Sequence, residues 1–164
     1  MKRSRRWALG TVLVMAAACL IVPAVVTAGP DDSAAVRFGN PEAGSPYQPP
    51  EFFHDSSPNA TDNLIPRTVV ISAGENVTFN VAGFHQVAVY EAGTQPEDIT
   101  VPAFPPNLLI NDPTNRLALQ PAPGVQGPYT PPAGTFSTPG RYLVLCNITP
   151  HFAVDKMYGW VIVK

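Results

Sequence analysis

From Arg67 to the C-terminal Lys164 the chain alternates apolar and polar positions over short runs separated by turn residues. Successive side chains of a strand face opposite sides, so alternate apolar residues mark one buried face. Thr68–Ser72 reads as a strand, Ala73-Gly74-Glu75 as a turn, and Asn76–Val81 as the next strand with Val77, Phe79 and Val81 inward. The stretch 81–91, VAGFHQVAVYE, leaves a Gly-containing turn and alternates so that His85, Val87 and Val89 share a face. Arg141–Leu145 and Tyr158–Val163 are two further β-rich runs, bounded by Gly140 and Pro150 and joined by a loop. Gly134–Ser137 is expected to begin a strand ahead of the Pro139-Gly140 turn. Short strands at this spacing, with almost no helical periodicity and no internal repeat, predict an all-β protein built as an antiparallel β-sandwich.

Three stretches break the pattern. Residues 92–133 hold ten prolines in forty-two positions, and structureless loops of that length are uncommon in a compact domain unless they cover or serve a site. They are expected to form a Pro-rich insertion over one side of the sandwich, with a short helix at Pro96–Thr100 and a strand at Arg116–Leu119. Residues 29–66 lack periodicity and stay rich in Pro and Gly, which predicts an N-terminal arm or linker. Within it Glu51–His54 can form an edge strand or a packed arm. Met1–Ala28 has a basic start (Lys2, Arg3, Arg5, Arg6), an apolar run and small residues at Val26-Thr27-Ala28, the pattern of an export signal. Its Ser4-Arg5-Arg6 start resembles a twin-arginine leader. The apolar run nearly reaches membrane-spanning length, so cleavage after Ala28 is expected and retention as an anchor stays open. The domain at 67–164 is thus predicted to act outside the cytoplasm, in the periplasm, at the cell surface or secreted.

Charge changes the picture once the leader is set aside. The whole chain has a formal charge of −2, but the four basic leader residues leave six Lys and Arg against twelve Asp and Glu, or −6. That balance argues against nucleic acid and anionic membranes as partners, and it suits a basic redox partner or a plain solvated acidic surface. A membrane association is expected only if the leader is kept, and a monomer is expected in solution.

Cysteine narrows the chemistry further. Cys19 lies in the leader, so Cys146 is the only Cys in 29–164 and cannot join an intramolecular disulfide. A lone thiol in an oxidising compartment is a liability unless it is buried or ligated. Cys146, His151 and Met157 follow one another across a single loop. Thiolate, imidazole and thioether are ligands that suit copper, and two His with one Cys and a weak axial Met form the blue-copper electron-transfer arrangement. The second His is expected to be His85. His54, the one other His, has no ligand pattern around it and reads as a surface or arm residue.

The GFHQVAVYE segment and the C-x4-H-x5-M loop followed by YGWVIV resemble the cupredoxins, small blue copper proteins of the plastocyanin and azurin type. The resemblance covers roughly Arg67 to Lys164. It implies a Greek-key sandwich, one type 1 copper ion held by His85, Cys146, His151 and Met157, and a carrier of single electrons rather than an enzyme. It also implies that His151 exposes its ring edge, with Pro150, Phe152 and Ala153 forming an apolar docking surface for redox partner proteins. Three other readings compete. A catalytic copper enzyme needs several further His, and only His54 remains. A copper storage or delivery protein tends to use open sites rich in Met and His, whereas 29–164 has one Met. A metal-free adhesion sandwich would keep Cys146 and both His as core. Tyr158 and Trp160 are expected as strand packing. The sequons at Asn59, Asn76 and Asn147 are expected to be chance matches, the last because it lies inside the ligand loop.

Overall fold

The computed structural model describes residues 26–27, 34–39 and 64–164, and within them ten strands form two facing sheets. In chain order they are β1 (Val26–Thr27), β2 (Ala34–Phe38), β3 (Leu64–Ile65), β4 (Thr68–Ile71), β5 (Val77–Val81), β6 (Val87–Ala92), β7 (Arg116–Leu119), β8 (Gly127–Tyr129), β9 (Gly140–Cys146) and β10 (Tyr158–Val163). The larger sheet runs β1-β4-β10-β9-β6-β7 and the smaller β3-β2-β5-β8. The protein is therefore mostly β and a two-sheet sandwich. Among the described residues no helix is long and apolar enough to cross a membrane.

The inner faces follow from alternation. β2 buries Ala34, Val36 and Phe38, and β5 buries Val77, Phe79 and Val81. Facing them from the larger sheet are Val69 and Ile71, Val87 and Val89, Tyr142, Val144 and Cys146, and Val161 and Val163. Each buried Val, Ile or Phe among them contributes about 1.5–3 kcal/mol by leaving water. Strands β6 and β9 are buried on their other face as well. Ala88, Tyr90, Leu143 and Leu145 form a second cluster there with Phe152 and with Ile99 and Ile110 of the Pro-rich segment. Burial on both sides is why VAVY and YLVLC read as continuous apolar runs. The segment is pinned by Asp112, whose carboxylate accepts from Thr100 N at 2.8 Å and Thr114 N at 2.9 Å. The Asp112 carbonyl accepts from the buried Tyr90 hydroxyl at 3.0 Å. Residues 92–133 also supply one 3-10 turn at Pro96–Asp98 and strands β7 and β8.

Several expectations are corrected. The sheets are mixed, not antiparallel throughout: β10 pairs parallel with β4, and β2 with β5. Each parallel pair is joined through chain that leaves the sheet, which is the connection parallel strands require. The smaller sheet begins at β2, inside the stretch read as an arm; AAVRF alternates, but five residues between Ser33 and Gly39-Asn40-Pro41 give too short a signal. β6 starts at Val87, so His85 precedes the strand. Its carbonyl accepts from Gly124 N at 2.9 Å, in the turn region. Gly134–Ser137 is a turn closed by Thr135 N to Pro132 O at 3.2 Å, and its apolar signal comes from the buried Phe136. β8 was hidden by Pro128, which a sheet tolerates because β8 is an edge strand. β1 falls within the predicted leader and pairs parallel with β4. The rest of Met1–Ala28, Glu51–His54 and the His54 side chain lie outside the described residues.

Candidate metal centre

Cys146 is the last residue of β9 and faces the inner core. The connection to β10 folds into a short helix, α1 (Thr149–Ala153), which the β-rich reading of this region did not anticipate. Pro150 suits its first turn, where an amide N–H would lack a helical partner. Phe152 N donates to Ile148 O at 3.1 Å and Val154 N to Pro150 O at 2.8 Å, so His151 sits on a closed turn. Lys156 takes a positive φ of 55° and the chain doubles back. Met157 N then donates to His151 O at 2.9 Å, and Cys146 N donates to Met157 O at 3.0 Å. The three loop residues are thereby tied backbone to backbone, and the Met157 side chain is fully buried in the same inner cluster as Cys146.

His85 arrives from the β5–β6 turn. Its ring meets Phe38, the last residue of β2, edge-on with centroids 5.9 Å apart. Gly39 and Gly83 line the ring. A Cβ on Gly39, at φ +91°, would stand 2.0 Å from Ala82 O and 2.7 Å from two ring atoms of His85, so only glycine fits. A Cβ on Gly83 would lie 3.1 Å from Nε2. Gly39 was invisible as a site residue in the sequence because its strand was read as linker.

The ligand atoms converge. Nδ1 of His85 and Nδ1 of His151 are 3.1 Å apart, and each lies 3.6 Å from Cys146 Sγ. A point equidistant from the three atoms is about 2.0 Å from each, close to ordinary transition-metal distances to N and S of about 2.0–2.3 Å. His85, Cys146 and His151 are 2%, 0% and 5% exposed, and Cys146 forms no disulfide among the described residues. Three buried heteroatoms turned toward one point, with a thioether residue hydrogen-bonded to two of their owners, fit copper by donor chemistry. His85, Cys146, His151 and Met157 make up a set typical of one type 1 copper site.

The surroundings depart from expectation in one respect. His151 is only 5% exposed, and Pro150 and Phe152, expected to form a docking surface, are buried with it. The Pro-rich segment runs alongside the ligand loop: Ile110 N donates to Asn147 O at 2.9 Å and Thr149 N to Leu108 O at 2.8 Å, with Leu109 bridging to Ile148. The exposed apolar residues bordering the loop are Leu108 and Val154, 40% and 50% exposed. Tyr158 and Trp160 are strand packing: Phe152, Tyr158 and Trp160 form an aromatic row with centroids 5.9 and 6.4 Å apart. Arg141 caps it, 3.5 Å above the Trp160 ring. Asn147 cannot take a glycan in the folded chain, since its Nδ2 is buried and donates to Gln86 Oε1 at 2.8 Å. Gln86 and Gln120 are buried polar neighbours of the site that the sequence did not single out as structural.

No protein-family model and no curated protein sequence matches the chain. Solved structures similar to it include dithionite-reduced auracyanin from the photosynthetic bacterium Roseiflexus castenholzii, 24% identical over 63% of this chain and 88% of that one, with a TM-score of 0.44. Oxidised plastocyanin from Dryopteris crassirhizoma is 21% identical over 80% of this chain and 100% of that one, with a TM-score of 0.41. Rusticyanin from Thiobacillus ferrooxidans is 20% identical over 85% of this chain and 82% of that one, with a TM-score of 0.46. The assignment of the donor set rests on the distances and burial in this chain, not on these likenesses.

Proposed function

We propose that this cupredoxin-like sandwich is a type 1 blue copper protein that carries single electrons between redox partners outside the cytoplasm and turns over no substrate. The observation that carries the reading is the convergence of Cys146 Sγ with both Nδ1 atoms at 3.1–3.6 Å within a closed core. Bound copper would supply a one-electron Cu(II)/Cu(I) couple. The chain's own part is to hold the ligands still and dry. Two of them, Cys146 and His151, are fixed by the loop, and His85 is fixed by the facing sheet and its turns, so the frame sets their separation. Burial keeps water off the thiolate that Cys146 must present. Coordination at the metal favours that thiolate over the thiol.

His151 is the most exposed of the four ligands, at 5%, and the electron is expected to leave there. The partner is expected to dock near it, on Leu108 and Val154 rather than on the buried Pro150 and Phe152. The −6 charge of 29–164 suits a partner with a basic rim. Export follows from the leader, and a monomer suffices because one chain supplies every ligand. Segment 92–133 is read as an insertion into a Greek-key sandwich, covering the outer face of β6 and β9. A storage role fits less well, since such sites favour open, Met-rich surfaces and this one is closed with a single Met.

Titration of Cu(II) into the protein, followed by visible absorption, tests the reading. One equivalent is expected to give an intense blue or green band from thiolate-to-copper charge transfer. Cys146→Ser is expected to abolish it, because a hydroxyl is too hard and too weak a donor. A pale product would favour storage or delivery, and no uptake would favour a metal-free sandwich.

A further inference from the structure

Polar groups are tolerated in an apolar interior only when hydrogen-bonded, and three amide side chains crowd beside the ligands. Gln86 follows His85, and Asn147 follows Cys146. Gln120 follows β7 directly in the Pro-rich segment, and the three are 3%, 2% and 2% exposed in the order Gln86, Asn147, Gln120. Asn147 Nδ2 donates to Gln86 Oε1 at 2.8 Å, and Asn147 N donates to Gln86 O at 2.7 Å. Gln86 Nε2 in turn donates to Gln120 O at 2.7 Å. Gln120 Oε1 accepts from Val87 N at 3.2 Å, Gln120 N donates to Val87 O at 2.9 Å, and Gln120 Nε2 donates to Val125 O at 2.8 Å. One chain of bonds therefore runs from the covering segment, across the residue after His85, to the residue after Cys146.

The chain has a weak point that gives Gln120 its leverage. Asn147 Oδ1 has no hydrogen-bond partner, so that side chain is held through Nδ2 by Gln86. Gln86 is itself fixed on its donor side by the main-chain carbonyl of Gln120, and the Gln120 side chain holds that stretch in place through Val87 N and Val125 O. Gln120 is buried, so a variant of similar volume is needed to remove its polar atoms without opening a cavity. We propose that Gln120 is a positioning residue for the metal centre: acting through Gln86 and Val87, it fixes how far the His85 turn stands from the end of β9. Its influence reaches the centre one peptide beyond each of two ligands, where a shift of the turn changes the 3.6 Å separation of Cys146 Sγ from His85 Nδ1. This inference rests on the type 1 copper reading.

Gln120→Met keeps the volume of the side chain and removes its two side-chain hydrogen bonds, and Gln120→Asn, shorter by one methylene, is a milder second variant. Asp112→Ala, which loosens the same segment without touching the amides, is the control. In the metal-free proteins, amide exchange at Val87 and Asn147 is expected to quicken about tenfold in Gln120→Met and less in Gln120→Asn, with Val69 and Val161 unchanged. After loading with Cu(II), the charge-transfer band and the parallel hyperfine splitting are expected to shift in both Gln120 variants and to stay at wild-type values in Asp112→Ala. Folded Gln120 variants with wild-type exchange, band and splitting overturn the proposal, as does an equal shift in Asp112→Ala. A wild-type protein that binds Cu(II) without the band overturns the copper reading and this inference with it, whereas a blue wild type with unresponsive Gln120 variants overturns this inference alone.

Discussion

The loop from Cys146 to Met157 is closed by its own backbone, with further bonds to Gln86, Leu108 and Ile110, while His85 is held by parts of the chain far from it in sequence. Within the loop, Cys146 N reaches Met157 O, Met157 N reaches His151 O, and α1 closes on its own carbonyls. Around His85, the end of β2, the glycine turn before β6 and the residue Gly124 all converge. Three ligands are thus local and one is tertiary. Damage to the loop should alter the centre while sparing the fold. Damage around His85 should harm both together, since the same contacts join the two sheets.

Gly39→Ala attacks the tertiary side and is expected to have the largest effect. The added Cβ would meet Ala82 O at 2.0 Å and the His85 ring at 2.7 Å, at a φ of +91° that alanine disfavours. A loss of about 3 kcal/mol is expected in denaturant titration, together with weakened Cu(II) binding. Asp112→Ala comes next, because it frees two backbone N–H groups of the segment that borders both regions. A cost of about 1–2 kcal/mol is expected, part of it screened by solvent under a thin layer of loop, with the colour kept. Those two N–H groups, from Thr100 first and Thr114 second, hold the Asp112 carboxyl below its ordinary value of 3.8. A lowered pKa means stability that is present above about pH 4 and lost as pH falls through the folded value. The difference between wild type and Asp112→Ala in thermal melts is therefore expected to shrink as pH drops below 4.

Met157→Leu attacks the local side alone. The swap nearly conserves volume, so it is expected to cost less than about 1.5 kcal/mol and to keep copper bound. Removing the thioether is expected to raise the reduction potential measured by voltammetry. An unchanged spectrum and potential would show that Met157 is not the axial ligand. Arg141→Ala lies outside both regions and is expected to do least, about 0.5–1 kcal/mol from the lost contact over Trp160, with no change in colour or potential.

The same division governs what could be read before the fold was known. Cys146, His151 and Met157 are close in sequence, and their types and spacing pointed to one site. Strands β4, β5, β7, β9 and β10 carry enough apolar alternation to be found within a residue or two of their bounds. His85 was found as the second imidazole such a site requires, but not what holds it. Gly39 needed β2, a five-residue strand, to be placed against β5 first. The run of residues 108–110 beside the ligand loop was equally out of reach, because that pairing has no sequence period. The amides of Gln86, Gln120 and Asn147 looked like ordinary polar positions and become informative only when buried together.

Electron paramagnetic resonance of the Cu(II)-loaded protein tests most directly whether His85, Cys146 and His151 grip one ion. A small parallel hyperfine splitting, lost in Cys146→Ser, is the predicted result, because a thiolate bond spreads the unpaired spin onto sulfur. A large splitting of the ordinary tetragonal kind in the wild-type protein would contradict it.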